Sequence, residues 1–292
     1  MSSSFVTFLG IISTSLFFSV VPILTKLLYQ SFEPIPLGFL RFLIATIFIL
    51  PFFFIQKRES LFKAIKTIWP YTVLGSFNIL FFYLGIARTT ADSSAIIYSG
   101  VPLITAVLSY FLIRERLSKR KQVGILIGFL GTIFVVILPL FQKGIKTGDL
   151  TGNLLVFIAT CLWAGNGIAS KKIIQRGYSP ISVATVSFIV SAVIFLTLSP
   201  FMSKNNFVNP LFSIHNLFLL LFLGGIVTVG SNVLMQWTVK RTSATIMFLY
   251  QYIQPVFTLS ISAVVLNEKI TAGFLAGALM IFVGVFIATY KR

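Results

Sequence analysis

Two stretches, Pro102–Ser118 (PLITAVLSYFLIRERLS) and Pro255–Thr271 (PVFTLSISAVVLNEKIT), follow one pattern. Each opens on a proline, continues as an apolar run, and closes on Glu, a basic residue, an aliphatic residue and a hydroxyl residue. A shift of 153 residues brings identical residues around both stretches into one register. The matched pairs are Arg88 with Arg241, Ala91 with Ala244, Pro102 with Pro255, Glu115 with Glu268, Gly124 with Gly277 and Gly131 with Gly284. Apolar helices match by chance, whereas a proline, a glutamate and two glycines in one register indicate an internal repeat.

A second match extends the repeat toward the N-terminal end of each half. A shift of 145 residues places Phe18–Lys26 (FSVVPILTK) on Trp163–Lys171 (WAGNGIASK). The shift differs because the loop at 204–215 is longer in the second half. The sequence therefore predicts a first repeat over residues 1–142 and a second over residues 150–292.

The composition predicts an all-α integral membrane protein. The 292 residues are 57% hydrophobic and 10% charged, and the mean hydropathy is +0.99. Soluble domains carry about 25% charged residues. A crossing takes about 20 apolar residues, so the chain has room for about ten transmembrane helices. This excludes a soluble globular enzyme, a disordered chain and a disulfide scaffold. The predicted spans are 6–28, 34–55, 68–87, 93–113, 120–140, 152–170, 180–201, 216–237, 243–266 and 272–290.

The basic residues predict the orientation. Of 23 Lys and Arg residues, sixteen fall in the even-numbered loops and the C-terminal end, and six fall in the odd-numbered loops. Because loops rich in Lys and Arg stay cytoplasmic, we expect a multi-pass protein of the inner (cytoplasmic) membrane with both termini inside. The first span lacks a basic start and a cleavage site, so we interpret it as a retained helix. The net charge of +17 then faces the lipid bilayer, and no nucleic-acid partner is expected.

Five spans in each half are an odd number, so the second half enters the membrane from the opposite side. Inverted repeats of this kind are a recurring architecture of secondary transporters, with the substrate site near the bilayer midplane between the repeats. The alternative interpretation is a duplicated membrane scaffold that moves no solute.

The pattern as a whole resembles a known family. Several features occur in both halves: an aromatic residue eight residues before a Lys in the first helix, a proline within a later span, an E-R-L-S or E-K-I-T turn, and a final Gly-x6-Gly helix. This resembles the drug/metabolite transporter (DMT) superfamily, in its ten-helix EamA-type branch. The resemblance implies a 5+5 bundle that exports small metabolites or amino acids. It also implies a central cavity lined by helices 1, 3, 4, 6, 8 and 9, with helices 5 and 10 outside. Phe18 and Ser19 depart from the usual Trp-Gly start.

Uncharged polar and aromatic residues in those helices are the candidate substrate-binding residues. Buried amides need hydrogen-bond partners, and aromatic faces suit an amphipathic solute. The candidates are Asn78, Tyr83, Tyr98, Ser99, Trp163, Asn166, Asn232, Gln236, Trp237, Tyr250 and Gln251. Tyr98, Asn166, Gln236 and Gln251 are the strongest of them. The alternative role is interhelical hydrogen bonding.

Pro102 and Pro255 are candidate hinges, because we expect each proline in the middle of a span. A proline there frees the carbonyl four residues earlier, which belongs to Tyr98 in one half and to Gln251 in the other. The alternative is a static kink.

Charged residues give three further candidates. Arg41 is the one charge well inside a predicted span, and it either attracts a carboxylate or phosphate of the substrate or serves a structural role. Glu115 and Glu268 lie at helix ends, where they pair locally, cap the next helix or act in gating. No carboxylate is expected at mid-membrane as a proton relay, so either the solute gradient alone drives transport or the energy coupling uses other groups.

The sequence therefore predicts a secondary transporter that exports a small metabolite, such as an amino acid, by alternating access. The alternatives are an importer of an amino acid or nucleotide-like metabolite, a membrane-embedded enzyme and a non-transporting scaffold. One Cys and one His provide no metal site, so no catalytic residue, metal or cofactor is expected. The expected partners are a small-molecule substrate and lipid. We expect a monomer, with a homodimer as the alternative.

Overall fold

The chain folds as a bundle of long helices. A computed structural model describes residues 3–86, 88–89, 94, 97–143, 149–202, 211, 213–266 and 272–290. Within these ranges the helices longer than one turn are α1 (Ser3–Leu28), α2 (Pro34–Ile55), α3 (Leu61–Ile86), α4 (Val101–Ile113), α5 (Lys119–Lys143), α6 (Leu150–Gln175), α7 (Pro180–Met202), α8 (Ile214–Arg241), α10 (Tyr250–Leu266) and α11 (Ala272–Thr289), and a single turn, α9 (Ala244–Met247), precedes α10.

Six of the described helices each contain an apolar segment long enough to cross a membrane. They are α1, α2, α3, α6, α7 and α8. Their outer faces carry large apolar side chains. Phe52 is 57% exposed, and Phe201 is 86% exposed. Such surfaces are unfavourable in water and favourable against lipid chains. The chain is therefore a multi-pass membrane protein, as its composition predicts.

Local sequence explains where several helices begin and end. Pro34 starts α2, where its fixed φ suits the first turn and its missing N–H costs no hydrogen bond. The carboxylate of Asp149 accepts a hydrogen bond from the Thr151 N–H and caps α6. Gly177 follows the end of α6 with a φ of 96°, a conformation that glycine adopts without strain.

The predicted spans agree with the helices in some places and fall short in others. The second span, 34–55, has the bounds of α2. Helix α3 begins at Leu61, well before the predicted start at 68, and α6 continues to Gln175 beyond the predicted end at 170. The added turns contain lysines, which an apolar window rejects. A helix backbone nevertheless continues past the hydrocarbon layer, where lysine side chains reach water.

Three predicted spans are interrupted. A turn at Ser99–Gly100 precedes α4. Residues Phe222–Thr228 of α8 form a π-helical segment. A turn at Phe248–Leu249 separates α9 from α10. Irregular backbone of this kind is tolerated at membrane depth only where protein or a wet cavity surrounds it.

Helix contacts join the two halves of the chain. Helix α5 packs on α11, α3 packs on α6, and α2 packs on α7. The first of these contacts depends on glycine: a Cβ atom at Gly124 would lie 2.6 Å from the Gly284 carbonyl oxygen. Close approach through small residues is a common way for membrane helices to associate.

Candidate functional site

Asn78 connects three segments at the centre of the bundle. Its side chain, from α3, is buried. The Nδ2 group donates to the Tyr98 hydroxyl at 2.5 Å and to the Ala159 carbonyl of α6 at 2.7 Å. Phe82, one turn further along α3, packs edge-on against the Tyr98 ring at 5.1 Å. Asn78 therefore uses both amide hydrogens and fixes the direction of the Tyr98 side chain.

Tyr250 is the focus of a second group of side chains. It lies at the start of α10 and is 1% exposed. Its hydroxyl accepts hydrogen bonds from Trp163 Nε1 of α6 at 3.1 Å and from Gln251 Nε2 at 3.3 Å. Its ring stacks on Phe18 of α1, with centroids 4.9 Å apart and an interplanar angle of 16°. Three helices thus meet at one aromatic side chain.

The two groups adjoin each other, since the Tyr98 and Tyr250 hydroxyls are close enough to interact electrostatically. Each hydroxyl accepts from a nitrogen donor, so its own hydrogen is not used in those bonds. A buried O–H group favours an acceptor. We call Asn78, Tyr98, Trp163, Tyr250 and Gln251 the central cluster. It offers two hydroxyl donors beside aromatic faces, a combination that suits a solute with an acceptor group and an apolar part.

Asn166 and Gln236, two other strong candidates, lie in separate buried positions. The Asn166 carboxamide rests against Gly75 of α3, where a Cβ atom would lie 3.0 Å from Oδ1. Gln236 of α8 donates to the Ser170 hydroxyl of α6 at 3.2 Å. The Gln236 Oε1 atom is buried and has no hydrogen-bond partner among the described residues. An unsatisfied buried acceptor is costly, so this oxygen marks a position where a donor is expected.

The remaining candidates on α8 turn toward their own helix or toward its end. Asn232 donates to the Thr228 carbonyl of the same helix at 3.0 Å. The Trp237 ring lies under the Arg241 guanidinium, 3.7 Å from its centroid. These described contacts do not bring either residue to the central cluster. Ser99 is buried at the turn before α4.

Arg41, Tyr83, Tyr29 and Thr228 form a third group, which we call the Arg41 cluster. Arg41 of α2 is 8% exposed. Its Nε donates to the Thr228 hydroxyl of α8 at 2.8 Å. The Tyr83 hydroxyl is within hydrogen-bonding reach of both the Arg41 guanidinium and the Tyr29 hydroxyl. Burial, and then the nearby Tyr83, raise the pKa of Tyr29, which lies in the loop after α1, so that its hydroxyl is neutral.

Two glycines of the π-helical segment set the position of this cluster. A Cβ atom at Gly224 would lie 2.9 Å from the Arg41 carbonyl oxygen, and one at Gly225 would lie 2.7 Å from the Phe48 ring. Because α2 and α8 approach so closely, Thr228 reaches the Arg41 side chain. The π-helical turn also lets the Thr228 hydroxyl donate to the Leu223 carbonyl at 2.7 Å, five residues earlier.

The structure corrects the expected position of one proline. Pro102 does not lie in the middle of a helix; it lies in the first turn of α4, after the turn at Ser99–Gly100. No intrahelical hydrogen bond is lost there. Pro255 does lie inside α10, six residues after the break at Phe248–Leu249. The hinge role of both prolines stays a prediction.

Glu115 follows α4 and faces a lysine from the other half of the chain. Lys171 of α6 interacts electrostatically with Glu115. Its ammonium group donates to the Val239 carbonyl at 2.8 Å and to the Thr242 carbonyl at the end of α8. One Glu115 oxygen is buried without a hydrogen-bond partner in the described part of the chain. Glu268 lies outside the described residues.

Sequence reasoning missed Lys171 and Thr228 as members of these groups. Lys171 had a signal, since the repeat aligns it with Lys26. Thr228 had none, because only the extra residue in the π-helical segment turns its hydroxyl toward Arg41.

Comparison with known proteins identifies the family. The EamA-like transporter family matches residues 6–137 and 150–290. Uncharacterized transporter YetK of Bacillus subtilis (strain 168) is 28% identical over 266 residues, which cover 87% of this chain and 77% of that protein. An uncharacterized transporter of Archaeoglobus fulgidus is 24% identical, and the match covers 92% of each chain.

A shorter relative and a solved structure also match the chain. Uncharacterized transporter YyaM of Bacillus subtilis (strain 168) is 30% identical over 145 residues, 48% of this chain and 47% of that protein. A crystal structure matches with a TM-score of 0.78 and 17% identity over 97% of this chain and 96% of that chain, a likeness of fold alone. With 6–137 and 150–290 both matched, the chain belongs to the EamA-like transporter family of the drug/metabolite transporter superfamily, whose members are membrane transporters and in general not enzymes.

Proposed function

We propose that this protein is a secondary transporter that moves an amino acid or a similar small amphipathic metabolite across the cytoplasmic membrane by alternating access, in the outward direction. The observation that carries the proposal is the central cluster. Two tyrosine hydroxyls with unused hydrogens lie beside the rings of Trp163 and Phe18. A carboxylate or carbonyl accepts from the hydroxyls, and an apolar side chain contacts the rings.

We infer an architecture of ten spans in two inverted repeats, over residues 1–142 and 150–292. Helix contacts support it, because they occur in matching pairs. Helix α3 packs on α6 as α8 packs on α1, and α4 packs on α6 as α10 packs on α1. Helix α2 packs on α7, its counterpart in the other repeat, and α5 packs on its counterpart α11 in the same way. A pseudo-two-fold axis in the membrane plane produces pairs of this kind.

Two such halves can exchange contacts at little cost in free energy, which is the physical basis of alternating access. In the described structure, Lys171 ties α6 to the end of α8 near Glu115. In the proposed orientation this end faces the cytoplasm, because Arg114, Arg116 and Lys119 lie beside it. We propose that these contacts close the cytoplasmic side and that the opposite rocking motion releases them.

The positions of the carboxylates support transport that is driven by the gradient of the solute itself. The described ones, Glu33, Glu59, Glu115 and Asp149, lie at helix ends or in loops rather than at mid-membrane, where a proton relay would need one. We propose that the transporter acts as a monomer.

Counterflow in proteoliposomes tests the function. Purified protein is reconstituted, the vesicles are loaded with one unlabelled solute, and uptake of the same radiolabelled solute is followed. The panel contains amino acids, sugars and nucleotide derivatives. We expect counterflow of at least one amino acid above the level of protein-free vesicles. Exchange of nucleotide derivatives alone would favour the alternative substrate class, and exchange of nothing in the panel would favour a scaffold. A comparison of solute uptake by intact cells with solute efflux from preloaded cells distinguishes an importer from an exporter.

A further inference from the structure

The Arg41 cluster holds a buried positive charge among neutral groups. The described contacts of the guanidinium are the hydroxyls of Thr228 and Tyr83 and the ring of Phe42, 5.4 Å away. Removing a charge from water carries a large cost in free energy, and hydrogen bonds to hydroxyls offset only part of it. A buried ionised residue at membrane depth is a functional candidate for this reason.

The Thr228 hydrogen bond engages only the Nε side of the guanidinium. Thr228 donates its hydroxyl hydrogen to the Leu223 carbonyl, so its oxygen can only accept from Arg41 Nε. The two terminal NH2 groups of Arg41 are not used in this bond. They form the planar fork that binds a carboxylate through two parallel hydrogen bonds. Thr228 therefore orients the fork without neutralising it.

Aromatic contacts connect the Arg41 cluster with the central cluster. The Tyr98 ring contacts Phe82 at 5.1 Å, and Phe82 lies 6.4 Å from Tyr83. Tyr83 in turn is within reach of Arg41 and packs edge-on against Tyr29 at 6.1 Å. Successive ring contacts thus connect the central cluster with the Arg41 cluster.

We propose that the Arg41 cluster is a carboxylate-binding subsite, in which Arg41 receives the carboxylate of the transported solute and Tyr83 and Tyr29 donate to the same group. A single positive charge matches a carboxylate monoanion, whereas a phosphate dianion would leave excess negative charge in a buried place. The inference rests on the proposed function, and it narrows the substrate class to solutes with a carboxylate next to an apolar part.

Equilibrium binding tests the subsite without requiring transport. The thermal midpoint of the detergent-solubilised full chain is measured with sodium benzoate, with benzamide plus an equal concentration of sodium chloride, and with sodium phosphate. Benzoate and benzamide have nearly the same shape and differ in charge. We expect benzoate to raise the midpoint more than the other two, because a ligand that binds only the folded state stabilises it.

Variants locate the effect. We expect Arg41→Gln to weaken benzoate binding about tenfold or more, the order contributed by a hydrogen bond to a charged group. Arg41→Lys keeps the charge but lacks the fork, so we expect an intermediate loss. The matched control is Arg176→Gln, which removes an exposed guanidinium that stacks on Tyr71 and should leave benzoate binding unchanged. If Arg41→Gln does not fold, Thr228→Val tests the same geometry and should weaken benzoate binding several-fold.

Each other outcome contradicts a defined claim. Wild-type protein that benzoate does not stabilise beyond benzamide, or folded Arg41 and Thr228 variants that bind benzoate normally, would overturn the subsite. Phosphate binding that depends on Arg41 and equals benzoate binding would overturn the preference for carboxylate. Normal benzoate binding in a protein that shows no counterflow would refute the transport function and leave the subsite standing.

Discussion

The hydroxyl groups of Tyr98 and Tyr250 both accept a hydrogen bond from a nitrogen atom, and this fixes what they offer to a solute. The Tyr98 oxygen accepts from Asn78, and the Tyr250 oxygen accepts from both Trp163 and Gln251. Each hydroxyl is then a donor directed away from its protein partner. At the scale of single residues we therefore expect the candidate site to favour acceptor groups, most of all at Tyr250, whose oxygen already accepts two hydrogen bonds.

We expect Tyr98→Phe to lower counterflow roughly three- to tenfold at subsaturating solute, the value of one net hydrogen bond. Membrane insertion should not change, because Phe keeps the ring contact with Phe82, although the Asn78 amide loses one acceptor. The matched control is Tyr110→Phe, since Tyr110 is 50% exposed on the outer face of α4. We expect Gln251→Ala to impair counterflow as well. Normal counterflow in both Tyr98→Phe and Gln251→Ala would remove these residues from the site.

For the central cluster, the sequence predicted which residues take part and on which helices they lie, but it did not predict which side chains contact each other. Asn78, Tyr98, Trp163, Tyr250 and Gln251 follow from polarity within apolar spans. Nothing in the spacing of Trp163 and Tyr250 predicts that their side chains meet, because that contact depends on how α6 and α10 cross. Thr228 shows the same limit, since a helix without the π-helical turn would point its hydroxyl elsewhere.

At the scale of elements, glycine determines how closely α5 and α11 approach. A Cβ atom at Gly284 would meet the Gly128 backbone nitrogen, and one at Gly131 would lie 2.9 Å from the Ile281 nitrogen. Backbone cannot move aside as a flexible side chain does. The described structure therefore places a close backbone contact between α5 and α11 at these glycines.

We therefore expect Gly284→Ala to destabilise the protein by about 1–3 kcal/mol through overpacking. The matched control is Gly165→Ala, where the new Cβ atom would lie 3.4 Å from the Leu74 Cδ1 atom, an ordinary contact. Thermal unfolding of the two variants in one detergent gives the comparison. Equal midpoints would show that α5 and α11 can separate at no cost.

The two prolines should behave differently. Pro255→Ala supplies an N–H that can bond to the Gln251 carbonyl inside α10, so we expect a stiffer helix, equal or higher thermal stability and several-fold slower counterflow. Pro102→Ala changes the first turn of α4, where that N–H has no intrahelical acceptor, and should have little effect on helix geometry. Wild-type counterflow in Pro255→Ala would show that the bend at this residue is static.

The bounds of α2 and α7 were predictable to within a residue, whereas α3 and α6 extend beyond their predicted spans in turns that contain lysines. The breaks at Ser99–Gly100, Phe222–Thr228 and Phe248–Leu249 were not predicted. Hydropathy measures which side chains avoid water, and it does not register a change in backbone hydrogen bonding. These breaks lie beside the candidate site, which is where irregular backbone has protein partners to satisfy it.

At the scale of the whole molecule, the repeat and the charge distribution together predict which side of the membrane each loop faces. We expect a cysteine introduced by Arg120→Cys to be labelled from the cytoplasm by a membrane-impermeant maleimide, and one introduced by Lys204→Cys to be labelled from outside. Cys161→Ser provides a background free of the native thiol. Reversed labelling would overturn the orientation, and labelling of both positions from one side would overturn the inverted arrangement.

The stacked pair of Phe18 and Tyr250, with Trp163 bonded to the same hydroxyl, supplies an optical reporter inside the protein. The chain has three tryptophans, and the other two, Trp69 on the outer face and Trp237 under Arg241, lie in different surroundings. Replacing both by Phe would leave Trp163 as the single emitter. A solute that accepts from the Tyr250 hydroxyl would then change the surroundings of one indole, and titration of its emission maximum would follow occupancy in real time without any label.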